Sequence, residues 1–593
     1  MNKEEQKEIQ ERIKSLPKGN ISIKTINGRK YEYWQFREDG KQISRRVKGI
    51  ELEALRGQIE ERKRLESMLK KEKNGIVENI EKYLMSDEGY HGQVRTGKEL
   101  KAFAMTVKGL KKRGCFSALT EYIYGDGADR VLILFGLRRT GKTTLIKQVI
   151  LEMDPEIRSE AVFIQVIPGE TLAELNSDLR LLEKSGYRYV FIDEVTLLDD
   201  FIEGAAVFSD IFAASGMKIV LSGTDSLGFL FSEDEQLYDR CYMQHTTFIP
   251  YREFETVLGI KGIDEYIRYG GTMSMGGKDY NRRNMTFATT ANTNEYIDSA
   301  IARNIQHSLR NYQYGGHFRD LQELYDAGEL TNAINRIVED MGHRFTREVI
   351  QCAFKSHDLG ISRNNLRSDR GNTENVLDDI DTVSVTENLM RLLDIQDNDK
   401  RKIDIREEHV REIQEYLELL DLIEYVQVIN AANVNSSKKR TIITQPGLRY
   451  SQAEALITSL LQDEVFRNLG VKKRLRISER IMSEIKGRMM EDIILLETRM
   501  ANPDKEVFVL KFAVGEFDMV VYDPAKVSCR IYEIKHSQEV TAAQYRHLKD
   551  PGKCSETEKQ YGTIEGRFVI YRGPAKKIDG IQYLNAEEYL MDL

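Results

Sequence analysis

The sequence predicts an α/β multidomain protein: a parallel five-strand sheet, a mostly helical region, a winged helix and a C-terminal α/β domain. Three observations carry this. From Arg130 onward, short apolar runs alternate with helical segments. The glycine-containing loop GLRRTGKTT, residues 136–144, stands between one such run and a helix. Near the C-terminus a helix precedes three strand-like runs, VFVLKFA, EFDMVVYD and CRIYEIKH.

Residues 1–75 read as a small β-hairpin module followed by a charged helix, from about 51 to 73. ISIKTI, KYEYWQF and KQISRRV are β-rich and are separated by Asn27-Gly28 and Asp39-Gly40, dipeptides suited to tight turns. Lys24, Arg29, Lys30, Lys41, Arg45, Arg46 and Lys48 interleave with Tyr31, Tyr33 and Trp34. Such a surface either holds nucleic acid or is a solvated face over one aromatic mini-core.

Residues 95–255 form the parallel core. RVLILFG, AVFIQVIP, YRYVFIDEV, MKIVLSGT and TTFIPY are the five expected strands, apolar on both faces as buried parallel strands are. The run KGLKKRG, residues 108–114, reads as a solvated helix end. Residues 256–360 are helical in character, and residues 362–375 are a polar linker. Residues 376–470 suit a winged helix, because helical spacing in SVTENLMRLLDI and EEHVREIQEYLELL gives way to a β-type run. Residues 478–593 are the last α/β domain.

The phosphate-binding pattern G-x-x-x-x-G-K-[ST] is complete at residues 136–143. Gly136 and Gly141 let the backbone curl, so that amides of the loop (Arg138, Arg139, Thr140, Thr144) and the helix N-terminus face phosphate oxygens. Lys142 reaches the β- and γ-phosphates, and Thr143 supplies a hydroxyl to Mg²⁺. ATP and Mg²⁺ are the expected cofactors. Downstream, an apolar strand ends in Asp193 and Glu194; Asp193 holds Mg²⁺ and Glu194 activates the attacking water. Ser222 and Thr224 end the next strand, where they either sense the γ-phosphate or make ordinary strand-end hydrogen bonds. Arg240 is either an arginine finger for a neighbour's nucleotide, which requires a homo-oligomer, or a structural arginine.

In the C-terminal part Asp518 lies on one strand, and Glu533 and Lys535, two apart, lie on one face of the next. Glu491 adds an acid from the preceding helix, and Gln544 follows as an accessory candidate. An acid plus E-x-K can bind a divalent metal while the lysine stabilises charge on phosphate.

GLRRTGKTT, VFIDEV, VLSGTDSL, LYDRC before FIPYREFETVLG, EYIRYGGT and QPGLRY resemble, in that order, the bacterial and archaeal AAA-like P-loop ATPases with a C-terminal PD-(D/E)xK nuclease-like domain. The resemblance runs from about Phe103 to the C-terminus. It implies an ASCE-type strand order, a helical lid closed by the glycines of EYIRYGGT, and a restriction-endonuclease-like fold for the last domain. Where that family often carries an aspartate, this chain has Asn304, and no role is assigned to it. ATP rather than GTP follows from the resemblance and from the lack of an NKxD motif.

A net charge of -8 excludes a wholly basic surface, so DNA contact must use local patches. The five cysteines form no CxxC pair, and no histidine pattern marks zinc. The charged N-terminus lacks an apolar core, and no run approaches a membrane span, so the cytoplasm is the expected location. Two functions remain in view. One is a Mg²⁺-dependent ATPase coupled to a nuclease acting on or sensing DNA. The other is an ATP-driven switch whose nuclease-like domain is inactive.

Overall fold

In the computed structural model the described residues are 20–46 without their two turns, 89–275 with short breaks, 278–279, 318–353, 382–399 and 405–593 without 468, plus isolated earlier positions. The helix expected at 51–73, the linker at 362–375 and Asn304 lie outside them. The chain divides into two units, residues 1–93 and 94–593. In the first, β1 (Asn20–Ile26), β2 (Arg29–Glu38) and β3 (Lys41–Arg46) form an antiparallel sheet in that order. Its register sets Trp34 opposite Ile21 and Arg45, and Tyr33 opposite Arg46.

The boundary falls within β4 (Gln93–Arg95), a short edge strand. The core strands are β5 (Val131–Phe135), β6 (Ala161–Gln165), β7 (Tyr189–Asp193), β8 (Lys218–Gly223) and β9 (Cys241–His245). Their spatial order is β6-β7-β8-β5-β9, all parallel, with β4 added beyond β6. Counted within the core, the order is 2-3-4-1-5, as the resemblance implies. Every residue of β5 is buried, which fits a strand covered on both faces.

The fifth strand corrects the sequence expectation. It is CYMQH, residues 241–245, and not TTFIPY. Cys241 to His245 pair with Val131 to Phe135, and the Thr246 amide makes one more bond to the Phe135 carbonyl at 2.7 Å. Beyond it, the Arg113 guanidinium takes the Thr247 and Phe248 carbonyls, so the chain leaves the sheet. The sheet also has six strands rather than five, because β4 extends it.

Two helices follow, Tyr251–Thr256 and Ile263–Tyr269, then the two-residue strands β10 (Ser274–Met275) and β11 (Lys278–Asp279). Helices Arg319–Asp326, Leu330–Ala353, Thr382–Asp399 and Glu407–Leu419 lead to the hairpin β12 (Ile423–Asn430) and β13 (Asn433–Ile443). Leu137, inside the phosphate loop, is buried among Leu321, Ile413, Tyr416 and Leu417 of these helices. The loop is thereby packed from outside its own domain.

Helix Pro446–Leu461 and the 32-residue helix Gly470–Ala501 precede β14 (Glu506–Lys511), β15 (Glu516–Asp523) and β16 (Ser528–Lys535). Helix Pro551–Tyr561, β17 (Thr563–Tyr571), β18 (Lys576–Ile578), β19 (Ile581–Asn585) and helix Ala586–Asp592 complete the chain. The sheet order is β13-β12-β14-β15-β16-β17-β19-β18. The hairpin expected as a wing therefore belongs to the C-terminal sheet, because β12 runs parallel to β14. Among the described residues no helix is long and apolar enough to cross a membrane.

Glu497, on the long helix, accepts the Tyr251 amide at 2.8 Å and so caps helix Tyr251–Thr256. Burial pushes its carboxyl up to about 8. A carboxyl raised on folding stabilises the fold below its unfolded pKa, and that contribution fades as pH rises toward 8. Wild type should therefore lose melting temperature from about pH 5 to about pH 8. Glu497→Gln, which keeps an acceptor for Tyr251, should lose less; equal slopes in thermal melts would contradict this origin.

Candidate functional site

The phosphate loop joins β5 to helix Lys142–Glu152. Gly136 has φ 136°, and a Cβ there would lie 2.4 Å from the Thr246 carbonyl oxygen. Only glycine fits. Gly141 has φ 94° and sits against the Met273 side chain, which a Cβ would meet at 2.8 Å. Arg139 also has positive φ, 67°, and its carbonyl accepts the Met273 amide at 2.9 Å. Arg138 and Arg139 are exposed, and Thr144 is half-buried. Thr140 is fully buried; its hydroxyl donates to the Leu137 carbonyl at 2.8 Å and meets Thr246 Oγ1 at 3.0 Å.

Lys142 is buried, with Nζ 2.7 Å from the Gly136 carbonyl and 2.8 Å from that of Leu137. Burial lowers its pKa to about 8, although Glu194 and Asp193 pull it upward. Thr143 Oγ1 donates to Asp193 Oδ2 at 2.7 Å. The other Asp193 oxygen accepts the Ser222 hydroxyl and, at 3.1 Å, the Glu194 amide. Glu194 holds φ 56°, unusual for a side-chain-bearing residue, and Thr224 donates to its Oε2 at 3.2 Å. Burial raises the Glu194 carboxyl above the usual carboxylate range, against the pull of Lys142. The residues read from sequence at this end of the sheet thus form one connected set.

Arg240 does not join it. Its carbonyl accepts the Val131 amide at the start of β5, the end of the strand opposite the phosphate loop. Its half-exposed guanidinium pairs with Asp210 at 2.7 Å.

Two residues near the loop escaped the sequence reading. Arg113 lies in the run expected to be solvated, yet it is only 5% exposed. Its guanidinium donates to the Thr140, Thr247 and Phe248 carbonyls at 2.8, 3.1 and 3.3 Å, and to Glu253 at 2.5 Å. His245, ending β9, stacks on Phe135 with ring centres 4.8 Å apart. Burial, with Lys142 and Arg113, lowers its pKa to about 4, which keeps it neutral. No local motif announces either residue; both roles depend on where the strands converge.

The C-terminal candidates meet at one end of β15 and β16. Lys535 Nζ lies 2.6 Å from Asp518 Oδ2 and 2.7 Å from Glu533 Oε2. The Ile534 amide donates to Asp518 Oδ2 at 2.8 Å. Glu491 comes from helix Gly470–Ala501 and is held by Arg488 at 2.8 Å. Burial raises Glu533 to about 8 and Glu491 to about 7. Burial also opposes ionisation of Asp518, but Lys535 and the Ile534 amide hold it below its usual value. The Glu533 Oε1 atom is buried without a hydrogen-bond partner. Gln544 stays apart: its amide donates to the Glu539 carbonyl at 2.8 Å and accepts the Thr541 amide at 3.0 Å. Elsewhere Asp320, Glu323 and His409 bring ligand atoms within 4.8 Å of one another, but Arg406 is bonded to all three.

A parallel sheet in this order, wound around this phosphate loop with Asp193 and Glu194 at the tip of β7, one strand removed from β5, is the architecture of an AAA-like P-loop ATPase domain. In agreement, residues 128–255 match the family model described as AAA domain. Residues 2–57 match a domain of unknown function, DUF6788. Among solved structures, the Aeropyrum pernix Orc1 protein in complex with DNA matches with a TM-score of 0.22 and 12% identity. That match covers 64% of this chain and 99% of the other. No curated protein matches.

Arg113→Met should destabilise the protein by about 3 kcal/mol, the scale of breaking a buried ion pair. It should also weaken ATP binding, because the Thr140 carbonyl loses its donor. Denaturant unfolding together with nucleotide titration checks both; an unchanged midpoint would show that Arg113 is dispensable.

Proposed function

We propose that this protein is a Mg²⁺-dependent ATPase coupled to a nuclease-like domain that acts on DNA. The observation that carries the ATPase half is the chain of contacts from Thr143 through Asp193 to Ser222, with Glu194 held beside it by Thr224. The Thr143 hydroxyl and the Asp193 carboxylate are hard oxygen donors 2.7 Å apart, a donor set that fits Mg²⁺. Bound there, Mg²⁺ neutralises charge on the phosphates. Lys142 binds the β- and γ-phosphates, with the loop amides of residues 136–144 around them. Glu194, its carboxyl raised by burial, accepts the proton of the water attacking the γ-phosphorus. Ser222 and Thr224 report on that phosphate through the two acids they touch. Arg240, beside the far end of β5, serves a neighbour's site in a homo-oligomer.

For the nuclease half, the support is the convergence of Asp518, Glu533 and Lys535, with Glu491 beside them. The unpartnered oxygen of Glu533, whose carboxyl interacts with Asp518, fits a divalent cation, and Lys535 stabilises charge developing on a DNA phosphate. A helix followed by three antiparallel strands, a helix and a parallel strand is consistent with a restriction-endonuclease-like core. DNA is held at local basic patches rather than over the whole, net acidic surface.

One observation favours the switch reading: Lys535 already bridges Asp518 and Glu533 as an internal counter-ion. Two assays separate the readings. Lys142→Ala should abolish ATP hydrolysis, and Glu194→Gln should lower kcat by about 100-fold or more while ATP still binds. Equal rates for wild type and Lys142→Ala would sink the ATPase assignment. In Mg²⁺ or Mn²⁺, wild type should cut DNA and both Asp518→Ala and Lys535→Ala should not. Absence of cutting on every DNA form tested would leave the ATP-driven switch.

A further inference from the structure

The segment 263–273 touches both candidate sites. At one end, Met273 donates its amide to the Arg139 carbonyl at 2.9 Å and lays its side chain on Gly141. Both partners belong to the phosphate loop. Gly271 accepts the Ile249 amide at 2.8 Å, and a Cβ on it would lie 2.6 Å from Gln445 Cα, so the backbone packs closely against residue 445 there.

At the other end is Asp264, the second residue of helix Ile263–Tyr269. One carboxylate oxygen accepts His536 Nε2 at 3.0 Å and Lys486 Nζ at 3.3 Å. The other accepts Arg572 Nη2 at 2.8 Å. Each partner borders the D…ExK set. His536 follows Lys535 directly. Arg572 follows Tyr571, the register partner of Lys535 across β16 and β17. Lys486 is on the helix that carries Glu491. The Ile263 amide adds a bond to Glu587 at 2.9 Å.

Between the ends the helix is stiff. Ile267 is fully buried and Tyr266 nearly so; the Tyr266 hydroxyl donates to the Ile249 carbonyl at 2.8 Å, and its ring meets Tyr251 and Phe254 edge-on. Seven helical residues span roughly 10 Å. A packed element of this kind moves as a body or not at all.

We infer that segment 263–273 couples the two sites, with Asp264 as a positioning residue that sets β16 and β17 through His536 and Arg572 according to the state of the phosphate loop. This rests on the ATPase reading above. A nucleotide that rearranges residues 139–141 shifts Met273, and the helix carries the shift to Asp264. Because coupling is reciprocal, whatever stabilises one arrangement of the C-terminal site also changes nucleotide affinity.

Amide hydrogen exchange on the full chain tests this, comparing ATPγS plus Mg²⁺ with Mg²⁺ alone. In wild type, nucleotide should change exchange at 531–537 and 568–573 by about fivefold or more. Asp264→Asn should bind ATPγS within about twofold of wild type and lose that change. If Asp264→Asn folds poorly, Arg572→Met removes one contact, leaves Asp264 in place and should shrink the response. A response that persists in both variants overturns the coupling. So does a wild type that binds ATPγS but shows no change at those peptides. A wild type that binds no ATPγS overturns the ATPase reading and the coupling with it.

Discussion

The buried guanidinium of Arg113 is the constraint on which the rest of this arrangement depends. Three carbonyls point at it, from the phosphate loop and from the chain leaving β9, and Glu253 closes the set. Buried carbonyls need donors, and once residues 247 and 248 give theirs to Arg113 the strand cannot continue. The chain must turn, and helix Tyr251–Thr256 starts where the Glu497 carboxyl oxygen accepts the Tyr251 amide. One cation thus fixes the loop that faces nucleotide, the end of the sheet and the approach to the C-terminal domain.

The two candidate sites use a lysine beside carboxylates in opposite electrostatic states. In the phosphate loop, Asp193 and Glu194 are engaged by Thr143, Ser222 and Thr224, and Lys142 rests on carbonyls. Burial then wins and its pKa falls to about 8. This lysine gains an anionic partner when phosphate arrives. Lys535 is only half-buried; desolvation opposes its charge, but Asp518, Glu533 and Glu491 together raise its pKa well above the ordinary value. It already has its anions, and a divalent cation must compete with it.

What was legible in the sequence was local. A phosphate loop needs its glycines, lysine and threonine within nine consecutive residues, and Asp193 and Glu194 end a strand whose apolar run announces it. The E-x-K pair is legible because a strand places residues two apart on one face. Features that depend on distant partners were not legible. Arg113 reads as one more cation in KGLKKRG because its carbonyls come from residues 140, 247 and 248. TTFIPY has better strand composition than CYMQH, but register with β5 and the competing guanidinium decide the matter. The union of the hairpin with the C-terminal strands depends on a parallel pairing across some 80 residues, which no local pattern encodes.

That union determines where the C-terminal half can be divided. The outer strands of the eight-stranded sheet are protected: β18 is three residues long with exposed Lys576 and Lys577, and β13 carries exposed Lys438 and Lys439. Lysines on a rim discourage pairing with foreign strands. β14 has no such guard: its central Val507, Phe508, Val509 and Leu510 are buried, and β12 of the hairpin pairs along it. A fragment beginning after the hairpin would expose this apolar strand as a bare edge, inviting a second copy to add itself there. The hairpin is therefore a cover for one edge of the C-terminal strands, and the two must be inherited, expressed and engineered together.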